Sequence, residues 1–280
     1  MEPVIILNKI SKWFPIAEEN PVMAAVEKDH QMHTGEGELS SAELAGDTEN
    51  NQIKGGFFHA LKDISLSIPK SSCLVITGAN GSGKTLLMNI IAGLEESSEG
   101  SVQRKEKVGL VFQDAESQIL GETPREDIAV GLKAKRVPKK EIRQITEKVL
   151  SETGLLEKAD FPARFLSGGE KRRLAVAAVL AINADIIIFD EPYTALDYQG
   201  VIEVNKQIRH LKESGKTVII ISHELEKCLA FADQFVVLQK GRLVFNGNPQ
   251  DALACPENMA QWEIHYPYSS CSCFEELVWL

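Results

Sequence analysis

No run in the 280-residue chain approaches the ~18 consecutive apolar residues that a membrane-spanning helix needs. The opening "MEPVIILNKISKWF" has no basic leader and no long apolar core, so a secretory signal is not expected. These two absences predict a chain that is soluble, or held at a membrane only through a partner. Cysteine is sparse and odd in number: five residues, at 73, 228, 255, 271 and 273. That excludes a disulfide scaffold and fits a reducing compartment. Cys73 lies in an apolar run and reads as a small core residue. The Cys271-x-Cys273 pair is too isolated to read as a metal site. Positive charge is also short, with 30 Lys and Arg against 40 Asp and Glu and a net charge of -10. A nucleic-acid binder shows a basic balance or a basic stripe, and neither stands out here. Sustained heptads and internal repeats are missing too, which excludes a long coiled coil or a solenoid.

What is present is an ordinary globular mixture, 44% apolar and 25% charged. The negative charge is concentrated. Residues 16–56 hold nine of the acids and two of the bases, a net -7. This stretch is rich in Glu, Gly, Ser and Asn and reads as a flexible insertion. His30 and His33 within it are too few to argue for metal sensing. Before it, "VIILNKISKWF" (4–14) predicts a strand. After it, "LKDISLSI" (61–68) alternates with period two, as a half-buried strand does. "CLVITG" (73–78), "DIIIFDE" (185–191) and "TVIIIS" (217–222) are continuous apolar runs suited to buried parallel strands. "KTLLMNIIAG" predicts a helix stopped by Gly93, and "TPRE" (123–126) a capped helix start with Pro at its first position. A further helix follows with Ile142, Ile145 and Val149 on one face, ended by Gly154. Val201, Val204, Ile208 and Leu211 mark another. "FVVLQKGRLVFNG" (235–247) predicts a hairpin turning at Lys240-Gly241. Strands alternating with helices predict an α/β core with a parallel sheet, with residues 118–178 as an inserted helical subdomain.

Chemistry begins at "TGANGSGKT" (77–85), which meets G-x-x-x-x-G-K-[ST] with Gly78, Gly83, Lys84 and Thr85. Glycine lets backbone N–H groups converge on phosphate oxygens, and the following helix N-terminus adds positive potential. Lys84 is expected to reach the β- and γ-phosphates and the Thr85 hydroxyl to ligate Mg²⁺. "IIIFDE" sets Asp190 and Glu191 at the C-terminal end of an apolar strand, where open α/β sheets bind ligands. Asp190 then suits Mg²⁺, directly or through water, and Glu191 suits a general base for water. "FLSGGE" (165–170) puts Ser167 at a helix N-cap with bare N–H groups at Gly168 and Gly169; by mechanism alone this suits an ordinary helix N-terminus as well as a second anion site, and its position about 20 residues before the acidic strand favours the latter.

These segments together resemble the ATP-binding cassette (ABC) ATPases over residues 4 to about 250. "GANGSGKT" is similar to the Walker A loop (Gly78, Ala79, Asn80, Gly81, Ser82, Gly83, Lys84, Thr85), "IIIFDE" to Walker B and "LSGGE" to the signature. "TALD" (194–197), with Asp197, is similar to the D-loop, "VFQD" places Gln113 at the Q-loop, and "ISHE" places His223 at the switch histidine. The resemblance implies a P-loop NTPase core with a parallel sheet, an antiparallel N-terminal β subdomain and a helical signature subdomain. It implies an ABC domain over 1–253 and a C-terminal extension over 254–280. It also implies ATP and Mg²⁺, with Phe14 near the adenine, Gln113 sensing Mg²⁺, and Glu191 and His223 acting on the γ-phosphate and water. Two cassettes, identical or paralogous, would pack head to tail, so that Ser167, Gly168, Gly169 and Glu170 contact nucleotide on the partner. Glu170 departs from the commoner Gln, and the insertion departs from the usual short turn.

The stretch "VGLVFQDAESQILGETPREDIAVGL" further resembles the subgroup serving energy-coupling-factor importers, including cobalt and nickel uptake systems. Gln118 and "TPREDIAVG" carry that likeness. It implies a peripheral subunit on the cytoplasmic face of the cell membrane. It also implies a multi-span coupling subunit that docks near Gln118, and a separate membrane subunit that recognises a metal ion or a vitamin. Another importer or exporter cassette, or a soluble cassette protein, remains as the alternative; the single cassette and the acidic balance count against the last.

Overall fold

A computed structural model describes residues 2–16, 53–54 and 56–267. Most of the acidic stretch, with His30 and His33, and the last residues, with Cys271 and Cys273, lie outside the described residues. Two sheets organise the chain. The first is antiparallel, in the order β2 (Ile53–Lys54), β3 (Phe57–Pro69), β1 (Pro3–Pro15), β5 (Glu99–Arg104). Where 16–56 reads as one flexible stretch, its last residues are ordered: β2 pairs with β3, and Ile16 N–H donates to Gly56 O at 2.9 Å.

The second sheet has six strands, in the order β10, β9, β4, β8, β7, β6. These are β4 (Cys73–Thr77), β6 (Val108–Val111), β7 (Ile186–Asp190), β8 (Thr217–Ile221), β9 (Gln234–Gln239) and β10 (Arg242–Gly247). All neighbours run parallel except the β9–β10 hairpin. That hairpin turns where expected, with positive φ at both Lys240 and Gly241, as a two-residue turn matching strand twist requires. The apolar runs of β4 and β8 are buried at every position. One core packs on each face of this sheet, and Phe189, Tyr193 and Phe235 are among its largest buried side chains.

Helix α1 (Lys84–Ala92) follows the glycine loop and ends at Gly93, whose φ of 79° closes the helix in the left-handed conformation. α2 (Pro124–Ala134), α3 (Lys139–Glu152) and α4 (Gly168–Ala181) pack around Leu150, Leu155 and Leu174 in a separate cluster. The expected helical stretch therefore begins later than residue 118: residues 118–123 form a loop, and α4 runs on to Ala181. Thr123 caps α2 by accepting from Glu126 N–H at 3.3 Å. Beyond α5 (Tyr198–Glu213), α6 (Leu225–Cys228) and α7 (Pro249–Leu253), the chain ends its described part with α8 (Pro256–Gln261). Trp262 packs there on Phe245, ring centroids 5.3 Å apart, and Met259 is buried. Among the described residues no helix is long and apolar enough to cross a membrane.

Candidate functional site

β4, β7 and β8 are adjacent and parallel, so their C-terminal ends reach one edge of the sheet. The segments leaving these ends enclose a cleft of about 550 Å³. Asn80, Gly81, Gly83, Lys84 and Thr85 line it from the glycine loop. Gln113 enters after β6, Asp190 and Glu191 after β7, and His223 after β8. Four segments far apart in sequence are thus brought together.

The glycine loop is shaped for close approach. A Cβ on Gly78, at φ 149°, would fall 2.1 Å from Leu238 O, and one on Gly83, at φ 101°, 2.7 Å from a Leu61 methyl. Lys84 Nζ lies across the loop, donating to Gly78 O at 2.7 Å and Ala79 O at 3.0 Å. Burial pulls the Lys84 pKa down, opposed by the charges of Glu191 and Asp190. Ser82 Oγ is buried and has no partner among the described residues. With the unpaired first-turn N–H groups of α1 and one buried ammonium, the donor set fits a polyphosphate. Thr85, Gln113 and Asp190 add oxygen donors of the kind a hard dication takes.

Glu191 leaves β7 at φ 44°, a left-handed conformation that only an over-determined site holds in a non-glycine residue. Its N–H donates to Ile221 O at 2.8 Å, tying it to β8. The turn brings Glu191 Oε2 to 2.9 Å from His223 Nδ1. Burial raises the Asp190 pKa, and neighbouring Glu191 adds to it, while Lys84 opposes both. Gln113 Nε2 reaches Thr194 Oγ1 at 3.5 Å, the outer limit of a hydrogen bond.

Several expected residues lie elsewhere. Phe14 does not line the cleft; its cross-strand partner Phe58 does, with Ala60. Lys12 Nζ stands 5.2 Å over the Phe14 ring instead. The β1–β3 register is what could have pointed to Phe58. Asp197 caps α5, its Oδ1 accepting from Gly200 N–H at 2.8 Å. Ser167, Gly168, Gly169 and Glu170 are also outside the cleft. They form a reciprocal capping box in which Ser167 Oγ accepts from Glu170 N–H at 3.3 Å and Glu170 Oε2 from Ser167 N–H at 2.9 Å. Ser167 and Gly168 are exposed, open to a group from outside this chain. Burial acts to raise the Glu170 pKa, but Lys158 and the Ser167 N–H outweigh it and hold it low.

One residue escaped the sequence reading. Arg172 on α4 is buried, and its guanidinium donates to Gln113 O at 2.9 Å and to Pro192 O. It therefore joins the signature helix to the Q-loop and to the turn after Glu191. Arg172→Met keeps length and packing but strips the buried carbonyl of Pro192 and the partly buried carbonyl of Gln113 of a charged donor. We expect a loss of about 2 kcal/mol, since relief of the guanidinium's own desolvation offsets part of the lost bonding. A thermal midpoint unchanged from the native chain would contradict it.

Gln118 and Asp127, both in the segment of subgroup likeness, turn inward. Gln118 Nε2 donates to Leu110 O at 2.8 Å and its Oε1 accepts from Phe112 N–H at 3.2 Å. Asp127 Oδ1 accepts from Leu120 N–H at 2.7 Å and Gly121 N–H at 3.0 Å. Together they pin the loop that walls a second depression, of about 500 Å³, between Ile119, Thr123, Pro162 and Arg164. Leu120 and Phe165 stand exposed, 75% and 64%.

Residues 61–194 match the ABC transporter family. The energy-coupling factor transporter ATP-binding protein EcfA1 of Mycoplasma mobile is 38% identical over 212 residues, 71% of this chain and 77% of that protein. The chain belongs to this family of ATP-binding subunits. EcfA1 of Fusobacterium nucleatum is 39% identical over 215 residues, covering 72% of this chain and 78% of that one. Among solved structures, cbiO1 from Clostridium perfringens, part of the ABC transporter complex cbiONQ, has a TM-score of 0.70 at 25% identity. It covers 93% of this chain and 94% of its own. A second solved ABC transporter, in an inward-facing conformation, shares the fold, with a TM-score of 0.69 at 17% identity. As an energy-coupling-factor ATPase, the chain hydrolyses ATP to ADP and phosphate and couples this to transport.

Proposed function

We propose that this energy-coupling-factor ATPase drives import of a metal ion such as cobalt or nickel, or of a vitamin, through closure of a two-cassette dimer on ATP. The observation that carries the catalytic part is the Glu191–His223 contact of 2.9 Å at the edge of a cleft that also holds Lys84 and Asp190. ATP phosphates sit on residues 78–85, with Lys84 on the β- and γ-phosphates and the adenine toward the Phe14–Phe58 pair. Bound Mg²⁺, held by Thr85, Gln113 and Asp190 directly or through water, would neutralise charge on the β- and γ-phosphates. Glu191 accepts the proton of the attacking water, and His223 orients that carboxylate and faces the γ-phosphate. Ser167, Gly168, Gly169 and Glu170 cap the nucleotide of the second ATPase subunit, a copy or a paralogue. The exposure of Ser167 and Gly168 and the intact capping box support that role. Asp197 orders the neighbouring D-loop by capping α5.

The depression beside Leu120 is the seat for a multi-span membrane coupling subunit, which holds the cassette peripherally at the cytoplasmic face. Gln118 and Asp127 shape that seat from within. A further membrane subunit binds the substrate, and nucleic acid has no part. Gentle solubilisation of native membranes followed by capture of the full chain tests this. A multi-span subunit and a small substrate-binding membrane protein should co-purify. Ribosomal or DNA-bound partners, with nothing from the membrane, would overturn it.

A further inference from the structure

The chain is acidic overall, yet residues 133–143 carry six bases (Lys133, Lys135, Arg136, Lys139, Lys140, Arg143) against a single acid, Glu141. All six are exposed, at the end of α2, the following turn and the start of α3. The side chains of Lys133, Arg136, Lys139 and Lys140 have no ion-pair or hydrogen-bond partner among the described residues, whereas Arg143 pairs with Glu147 at 3.0 Å. Lys133, Lys139, Lys140 and Arg143 rim a depression of about 1030 Å³ whose floor includes Ala129 and Ile142. Thr146 belongs to the same depression, 1% exposed, with a hydroxyl that has no partner among the described residues.

Position says what meets this face. Thr123, which caps α2, lines the depression beside Leu120, and Arg125 and Glu126, in the first turn of that helix, line the basic one, so the two adjoin. A face beside the seat of a membrane subunit lies near the lipid that surrounds that subunit. A net charge of -10 repels the molecule as a whole from an anionic leaflet. Screening confines such forces to about 8–10 Å, however, so only the charge on the approaching face decides contact. We propose that the Lys133–Arg143 face binds the anionic phospholipid headgroups of that membrane and so orients the cassette under its coupling subunit. The proposal rests on the membrane-docking reading above.

Each basic side chain near an anionic surface raises partition roughly fivefold. The full chain, free of membrane subunits, should float with vesicles of equal parts phosphatidylcholine and phosphatidylglycerol, and not with phosphatidylcholine alone. Added salt should weaken the binding. The triple variant Lys133→Glu, Lys139→Glu, Lys140→Glu should lose it by roughly a hundredfold or more while keeping basal ATPase activity. Reversal of Lys9, Lys107 and Lys206 gives the same net charge elsewhere and should leave binding in place. Equal binding to both vesicle types, no binding to either, or equal loss in both triple variants would overturn the proposal. So would capture of RNA by this face with no vesicle binding. Co-elution with the coupling subunit in detergent, where no bilayer exists, reads the docking seat separately. If co-elution fails while flotation succeeds, the seat is wrong and the lipid face stands.

Discussion

Glu191→Gln is expected to cut the rate of ATP hydrolysis by about a thousandfold, within the range a lost general base produces, and to leave ATP binding intact. The two side chains have the same shape. The unusual φ of 44° at residue 191 and its backbone bond to Ile221 do not depend on the carboxylate. The amide oxygen can still accept from His223, so the loop keeps its position. What disappears is the ability to take a proton from water. Because Glu191 also raises the pKa of Asp190 by its charge, removing that charge should favour, not weaken, the approach of a triphosphate. Single-turnover hydrolysis and nucleotide affinity measured on the same preparation separate the two effects. A turnover within tenfold of the native chain would sink the general-base assignment, and a parallel loss of affinity would place Glu191 in binding rather than chemistry.

Lys84→Ala acts on the other half of the site. It should weaken ATP binding by roughly a hundredfold, about 3 kcal/mol, the upper range for a charge-assisted hydrogen bond. Two effects combine. The phosphates lose a buried ammonium, and Asp190 and Glu191, whose charges now act on Lys84, are left to face a triphosphate without it. The fold should tolerate the change, because among the described residues the ammonium hydrogen-bonds only to the carbonyls of Gly78 and Ala79, within the loop itself. Equilibrium titration with a fluorescent ATP analogue measures it. Full affinity in the variant would refute the phosphate-cradle reading.

The chemistry here is legible where it is local. A glycine loop between an apolar strand and a helix, two acids at a strand end and a Ser-Gly-Gly cap are each written in consecutive residues. The same holds for the buried strands, whose unbroken apolar runs need no partner to be recognised. The strands at 99–104 and 108–111 went unread for the opposite reason. "EGSVQR" is mostly exposed and is a strand because β1 supplies its hydrogen bonds, and "VGLV" is too short to show a period. Phe14 was the expected aromatic by resemblance, whereas its partner across the β1–β3 ladder, Phe58, is the one that lines the cleft, a pairing visible only once the strands are in register. Arg172 gave no signal, since one of two adjacent arginines on a signature helix looks solvated until the helix is packed.

What the sequence by itself determined is therefore the set of parts: the phosphate loop, the acid pair, the capped signature and the resemblance that joins them. Only the tertiary structure decided their assembly. Parallel pairing of β4, β8 and β7 delivers Lys84, His223 and Glu191 to one sheet edge, although up to 139 residues of sequence separate them. Packing of α4 outside that edge leaves Ser167 exposed and turned from its own chain's cleft. Side-chain chemistry is carried residue by residue, but which groups share a site depends on long-range pairing and burial, and no local pattern encodes that distance.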